Sequence, residues 1–214
     1  MQVTITRPAL VRVASIFTAP VGVGRYALAG VHFCKAEQGG LFIVSTDGHR
    51  MSVGHDQDAR IEGEDSGTFY FTKEPLRRLT PRKGEALKLR ITGDKAVLYS
   101  KNWDEHWAEV MTTYVGLVEG SYPDWRRIVS LVGTAGMSAD GAFNPDYLGD
   151  YAKVRKALGL GDGAFTSFVG RAGKAHLVYM AGANDWFGVI MPCRDENEPG
   201  QPAFWGREVS PGGG

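Results

Sequence analysis

LFIVSTDGHRMSVG, residues 41–54, is an apolar run closed by Ser45, a Thr46-Asp47-Gly48 turn, and a second run from Arg50 to Gly54. Asp-Gly between two such runs is a hairpin signal, because the turn needs backbone angles that glycine adopts freely. Reading back from it, Gly39-Gly40 turns the chain out of an alternating strand, Tyr26 to Cys34. Before that, Pro8 opens a helix with Leu10, Val13, Ala14, Ile16 and Phe17 as its apolar positions, and a short strand, Gln2 to Thr6, begins the chain. The order is a strand, a helix and three strands.

That order recurs twice. Thr68 to Phe71 is a strand, Thr72 caps a short helix with Pro75 in its first turn and Leu76 and Leu79 facing inward, and Ala86 to Thr92, Ala96 to Ser100 and Trp107 to Val118 are strands. In the third copy Gly141 to Phe143 leads into Asn144, a good cap, and the helix Pro145 to Leu158. Strands follow at Ala164 to Gly170, Ala175 to Met180 and Phe187 to Met191. A unit too small to bury its own apolar face must stack on a neighbour. Two units therefore form one domain over residues 1–130, and the third occupies 136–194. Residues 195–214, with Pro199-Gly200, Pro202 and a terminal Gly-Gly-Gly, show no period and read as an extended or disordered tail. The fold class is α+β, with antiparallel sheets.

Composition restricts the function classes. The 29 glycines fall mostly where strands turn, and 24 basic against 24 acidic residues leave no net charge, so any attraction to phosphate must come from local clustering. The two cysteines, Cys34 and Cys193, lie far apart and no signal peptide precedes them, which points to free thiols in a reducing cytoplasm. No apolar run reaches the roughly 20 residues of a membrane span. Asp47, His49 and Cys193 do not make a nucleophile with its base, and the five histidines lack ligand spacing. Cys193 is expected in an apolar strand, where burial raises a thiol pKa. No catalysis, metal or cofactor is expected.

Three separated stretches carry a more specific message: Ser45 to Met51 (STDGHRM), Tyr122 to Ile128 (YPDWRRI) and Val189 to Arg194 (VIMPCR). Taken singly, the first is a hairpin turn, the second the end of a strand and the third ordinary core. In this order and within this repeat, the chain resembles the bacterial beta sliding clamp, the beta subunit of DNA polymerase III. Residues 1–130 resemble that family's middle domain and Gly141 to Arg194 the second half of its last. The family's first domain has no counterpart, and only a connector around Ser130 to Ser138 stands where the first half of the last domain would be.

The resemblance implies a DNA-clamp fold with helices lining an inner face and sheets outside, and a cleft that holds a short peptide, roughly glutamine followed by leucine and phenylalanine. It assigns Thr46, Gly48, His49, Arg50 and Met51 to one wall, Pro123, Arg127 and Ile128 to the second, and Val189, Met191, Pro192, Cys193 and Arg194 to the third. Met51 and Met191 suit a site with many clients, since thioethers adapt to different anchors. The implied partners are double-stranded DNA, bound without sequence preference, and DNA polymerase, clamp loader or repair proteins. A twelve-unit ring takes four chains of three units, or three chains if the connector hides a fourth. The setting is a bacterial cytoplasm, and a phage-encoded clamp fits the compact size.

Helices that line a DNA channel should be basic. Arg7 and Arg12 on the first helix, Lys73, Arg77, Arg78, Arg82 and Lys83 around the second, and Lys153, Arg155 and Lys156 on the third hold nearly half of all Lys and Arg. A solvated helix face would look similar. The alternative to a clamp is an adaptor or decoy that keeps the cleft without closing a ring. Gln201-Pro202-Ala203-Phe204-Trp205 in the tail loosely imitates the client peptide and offers an occupant for the cleft.

Overall fold

The computed structural model describes residues 1–20, 26–82, 85–101, 106–132, 142–170 and 173–193. Its first unit is β1 (Gln2–Ile5), α1 (Pro8–Ala14), β2 (Val31–Lys35), β3 (Leu41–Thr46) and β4 (Arg50–Asp56), with a short β5 (Arg60–Glu62) after it. The second is β6 (Ser66–Phe71), α2 (Lys73–Leu76) continued by a 3-10 turn (Arg77–Leu79), β7 (Leu87–Thr92), β8 (Lys95–Lys101) and β9 (Trp107–Leu117). A helix, α3 (Trp125–Val132), then leads to the third unit: α4 (Pro145–Ala157), β10 (Thr166–Gly170), β11 (His176–Met180) and β12 (Trp186–Ile190).

Each of the first two units lends its opening strand to the other. β1 pairs antiparallel with β7, and β6 with β2. The exchange repeats at the far ends, where β5 pairs with β1 and the last residues of β9, Val115 to Leu117, pair with β6. The third unit joins through β12, which pairs antiparallel with β4 from Trp186 opposite Gly54 to Ile190 opposite Arg50. One sheet of twelve strands results, in the order β10-β11-β12-β4-β3-β2-β6-β9-β8-β7-β1-β5.

The period of two divides the sheet's apolar residues between its faces. Leu41, Ile43, Phe33, Val178, Trp186 and Ile190 face α1 and α4 with Leu10, Val13, Phe17, Tyr151 and Val154, in the larger core. Cys34, Val44, Met51, Val53, Leu177 and Val189 point the other way and pack under Trp125. The three inner helical elements meet: the Arg12 guanidinium donates to Thr80 Oγ1 at 2.5 Å, and Thr80 Oγ1 donates to the Ala157 carbonyl at 3.3 Å. α1 has no side-chain cap of its own, since Arg7 stands at its N-cap. The buried Asp56 carboxylate supplies one from a distance, accepting from the Thr6 and Arg7 N–H groups at 2.7 and 2.8 Å. Asn144 caps α4 as its sequence leads one to expect, accepting from the Asp146 N–H at 2.9 Å.

Four local expectations are corrected. Tyr26–Ala29 is a 3-10 turn, and the strand starts only at Val31. Gly30 sits where a Cβ would come within 2.9 Å of the Phe69 carbonyl. Ala142 and Phe143 form no strand, so among the described residues the third unit shows no counterpart of the opening strands that the first two exchange. The start of the supposed connector, through Val132, is helical. Cys193 is exposed beyond the end of β12, not buried within a strand.

Arg50 fastens the third unit to the first. Its guanidinium is 9% exposed, donates to Asp47 Oδ2 at 2.9 Å and to the Asp150 carboxylate of α4, and lies over the Tyr147 ring at 4.2 Å. Burial works against the Asp150 carboxylate, yet hydrogen bonds from Lys153 and Arg50 hold its pKa below the ordinary value. Removing one partner of such a group leaves buried charge uncompensated. Arg50→Ala should therefore destabilise the protein by about 3–5 kcal/mol in urea unfolding, with Asp150→Asn costing less because Asp47 remains to pair with Arg50.

Candidate peptide-binding cleft

The three stretches meet on the outer face of the β4–β12 seam. Met51 and Val189 are register partners across it. The Met191 N–H donates to the His49 carbonyl at 2.9 Å, so the first and third strips are bonded side by side. The second arrives from above as α3, whose Asp124 carboxylate accepts from the Arg127 N–H at 3.4 Å. Ile128 and Val129 then pack on the cluster that holds Met51 and Val189.

The walls grade from buried to exposed. Thr46, Met51 and Val189 are buried, Ile128 and Pro192 half-buried, and Gly48, His49, Pro123, Arg127, Met191 and Cys193 exposed. Gly48 turns the first strip with φ of 92° while its N–H donates to Thr46 Oγ1 at 3.0 Å. An apolar floor under a partly polar rim is the form of a site for a short segment with apolar anchors. Arg50 departs from the expected wall. Strand alternation sends its side chain to the helix face, opposite to Met51. Arg194 and the tail with Gln201 to Trp205 lie outside the described residues.

Sequence reasoning missed the groups that build the second wall. Trp125 is 6% exposed and meets Phe42 edge-on at 5.1 Å, and the Arg126 guanidinium lies over the Trp125 ring at 4.6 Å. Arg126 also donates to Cys34 Sγ at 3.8 Å, while burial pushes that thiol's pKa up. Beyond Phe42 the outer face continues into a pocket of about 380 Å³ lined by Val53, His55, Tyr179 and Phe187. The signal was present in the alternate apolar positions of β2, β3, β4, β11 and β12, which make an antiparallel sheet apolar on both faces and therefore require an outer cover.

On the inner face the expected basic residues are gathered but partly neutralised. Arg7 pairs with Asp185, Lys153 with Asp150 and Arg155 with Asp162. Arg12 is held by Thr80, and Arg78, Arg82 and Lys156 are exposed. Nothing is described of the Lys73 side chain or of Lys83, and Arg77 is engaged with neighbours.

Solved structures of similar shape include several bacterial clamps. The sliding clamp (DNA polymerase III subunit beta) from Pseudomonas aeruginosa bound to griselimycin aligns with a TM-score of 0.59 at 19% identity, over 91% of this chain and 66% of that one. DNA polymerase III subunit beta from Borrelia burgdorferi in complex with a natural product gives 0.55 at 17%, over 90% and 62%. The Bacillus subtilis DNA polymerase sliding clamp gives 0.56 at 16%, over 91% and 64%. The fold is that of the bacterial sliding clamp. The chain spans less than two thirds of the length of these clamps. No protein-family model and no curated protein matches its sequence. Among the described residues no helix is long and apolar enough to cross a membrane.

The second wall of this clamp fold is tied to pH through His32. Its ring stacks on Tyr122 at 4.3 Å, and its Nδ1 lies 2.9 Å from Thr68 Oγ1. Burial, aided by the Arg126 charge, lowers its pKa to about 4. The unfolded chain binds a proton near pH 6.5 that the folded chain refuses, so stability falls as pH drops from 6.5 toward 4. The loss is at most about 3 kcal/mol. Urea midpoints between pH 7.5 and 4.5 should show this fall, and His32→Gln should flatten it.

Proposed function

We propose that this protein is a compact sliding clamp, which encircles duplex DNA and tethers client proteins through the cleft at the β4–β12 seam. The observation that carries the reading is the convergence of the three strips on one apolar cluster, within a sheet of sliding-clamp fold. Among the described residues of the cleft no acid, base or nucleophile is arranged for catalysis, and the role proposed for it is binding. Clients are polymerase, loader or repair proteins that present a short motif with apolar anchors. Met51, Ile128, Val189 and Met191 take the anchors, while His49 and Arg127 meet backbone and acidic groups at the rim. The P. aeruginosa clamp was solved with griselimycin, so that compound is a ready competitor to try.

With three units per chain, four chains complete a twelve-unit ring. The inner helices then face DNA, and Arg78, Arg82 and Lys156 carry phosphate attraction that weakens steeply with salt. One observation favours the alternative of an adaptor or decoy without a ring: three of the inner cations already hold carboxylates.

Two measurements separate these readings. A labelled peptide of the glutamine, leucine and phenylalanine type should bind, and Met191→Glu or Ile128→Glu should weaken it by about tenfold or more, since each places a charge against apolar surface. Failure of the peptide to bind would remove both. On circular primed DNA with a bacterial polymerase and loader, a clamp lengthens the products, whereas a decoy shortens them.

A further inference from the structure

The outer face of the sheet changes character along its length. Under α3 it is apolar, whereas on β7, β8 and β9 it carries cations and aromatic rings. Strand alternation decides which residues stand there. Leu87, Leu89, Ile91, Ala96 and Leu98 enter the inner core, so Lys88, Arg90, Lys95 and Tyr99 point outward. β9 adds Trp107, whose ring lies 4.3 Å from the Lys88 ammonium, and Tyr114, the register partner of Lys95. Tyr99 stands opposite Lys88 in the ladder, with the Lys88 ammonium at 5.6 Å and the Arg90 guanidinium at 5.7 Å from its ring centre. Three rings and three cations thus interleave across three strands.

A ring holds a cation without cancelling its charge. That separates this face from the inner one, where Arg7, Lys153 and Arg155 already hold carboxylates. Among the described residues Lys88, Arg90 and Lys95 have no carboxylate partner. Lys101, beside Trp107 in the ladder, is engaged with neighbours. The one acid on these strands is Glu109, which accepts from Thr112 Oγ1 at 2.6 Å. An ordinary solvated face mixes charges of both signs and shows few large aromatic side chains. Here one sign prevails, and Trp107 and Tyr114 are 41% and 66% exposed.

We infer that the outer face of β7, β8 and β9 binds single-stranded nucleic acid, with Lys88, Arg90 and Lys95 on phosphates and Tyr99, Trp107 and Tyr114 as platforms for bases. The occupant follows from the pairing of the two chemistries. An acidic peptide supplies negative charge but no planar groups to match the rings. A duplex keeps its bases stacked within and offers phosphates alone. An unpaired strand uses both, since every base has a face that stacks on an aromatic ring while its phosphates meet the cations. Stacking of this kind tolerates any base, so the face reads no sequence. It is separate from the cleft at the β4–β12 seam and from the inner helices, and it does not depend on the clamp reading.

Fluorescence anisotropy with a labelled oligothymidylate of about 15 nucleotides, and with an oligouridylate of the same length, should show binding that weakens as salt rises. Binding of either oligomer supports the site and tells which sugar it takes. Lys88→Glu combined with Arg90→Glu should weaken binding by about tenfold or more. Trp107→Leu should weaken it by about tenfold, while Trp107→Phe, which keeps a ring, should stay near wild type. All these variants should retain the wild-type melting transition and client-peptide affinity, and Arg78→Glu with Lys156→Glu on the inner face should leave the oligonucleotide affinity unchanged. The inference and the clamp reading therefore fail separately. No binding at low salt would overturn the inference. So would Trp107→Leu binding as wild type while polyglutamate or phosphatidylserine vesicles displace the oligonucleotide, which would leave a surface that recognises charge alone. Loss of binding in the inner-face variant would assign the strand to the helices instead.

Discussion

The pairing of β12 with β4 is the contact on which the rest of the architecture depends. Without it the third unit would be a helix on three strands with no second face to bury, below the size at which a core sustains itself. With it the two units share one ladder, Trp186 donates to Ser52 Oγ at 2.9 Å within the core, and Arg50 reaches α4 from the same seam. The candidate cleft is a by-product of that junction, since its floor consists of the side chains that the paired strands send outward. A slip of this seam by one residue would turn Val189 inward and Trp186 and Ile190 outward, while β3 keeps β4 in its register.

The separation of the faces explains how one thin sheet can carry two unlike surfaces. Adjacent residues serve opposite sides: Arg50 holds a helix and Met51 floors the cleft, Trp186 enters the inner core and Phe187 the outer pocket. Charge for the inner surface and apolar area for the outer one are thereby set independently. Among the described residues α3 is the one α-helix on the outside, and it both covers apolar surface and forms the second wall of the candidate cleft.

Much of this was legible from local signals. Gly39-Gly40 and Asp47-Gly48 mark their hairpins, because Gly40 leaves no room for a side chain against the Asp56 carbonyl. Pro8 and Asn144 mark helix starts for reasons of backbone geometry and capping. What escaped depends on partners distant in the chain. α3 reads as a strand end, since WRRIV is helical only when its apolar flank has an outer face to rest on. Tyr26 to Ala29 alternates like a strand, yet the chain must turn there before Val31 can pair with Phe69. Arg50 looked like a rim residue because the turn brings it beside His49, and only Asp150, a hundred positions on, shows which way its guanidinium goes.

The seam also sets the order in which the protein is made. Ser52 and Trp186 are 134 positions apart, so a chain emerging from the ribosome completes β4 long before β12 exists. Until then the β4 edge and its outward-facing Met51 and Val53 lack their partner strand, although α1 is already available for the inner face. Contacts so distant in sequence form slowly, and unpaired edges invite association in the meantime. The first two units thus wait, with one edge open, for a strand that lies in the last tenth of the described chain.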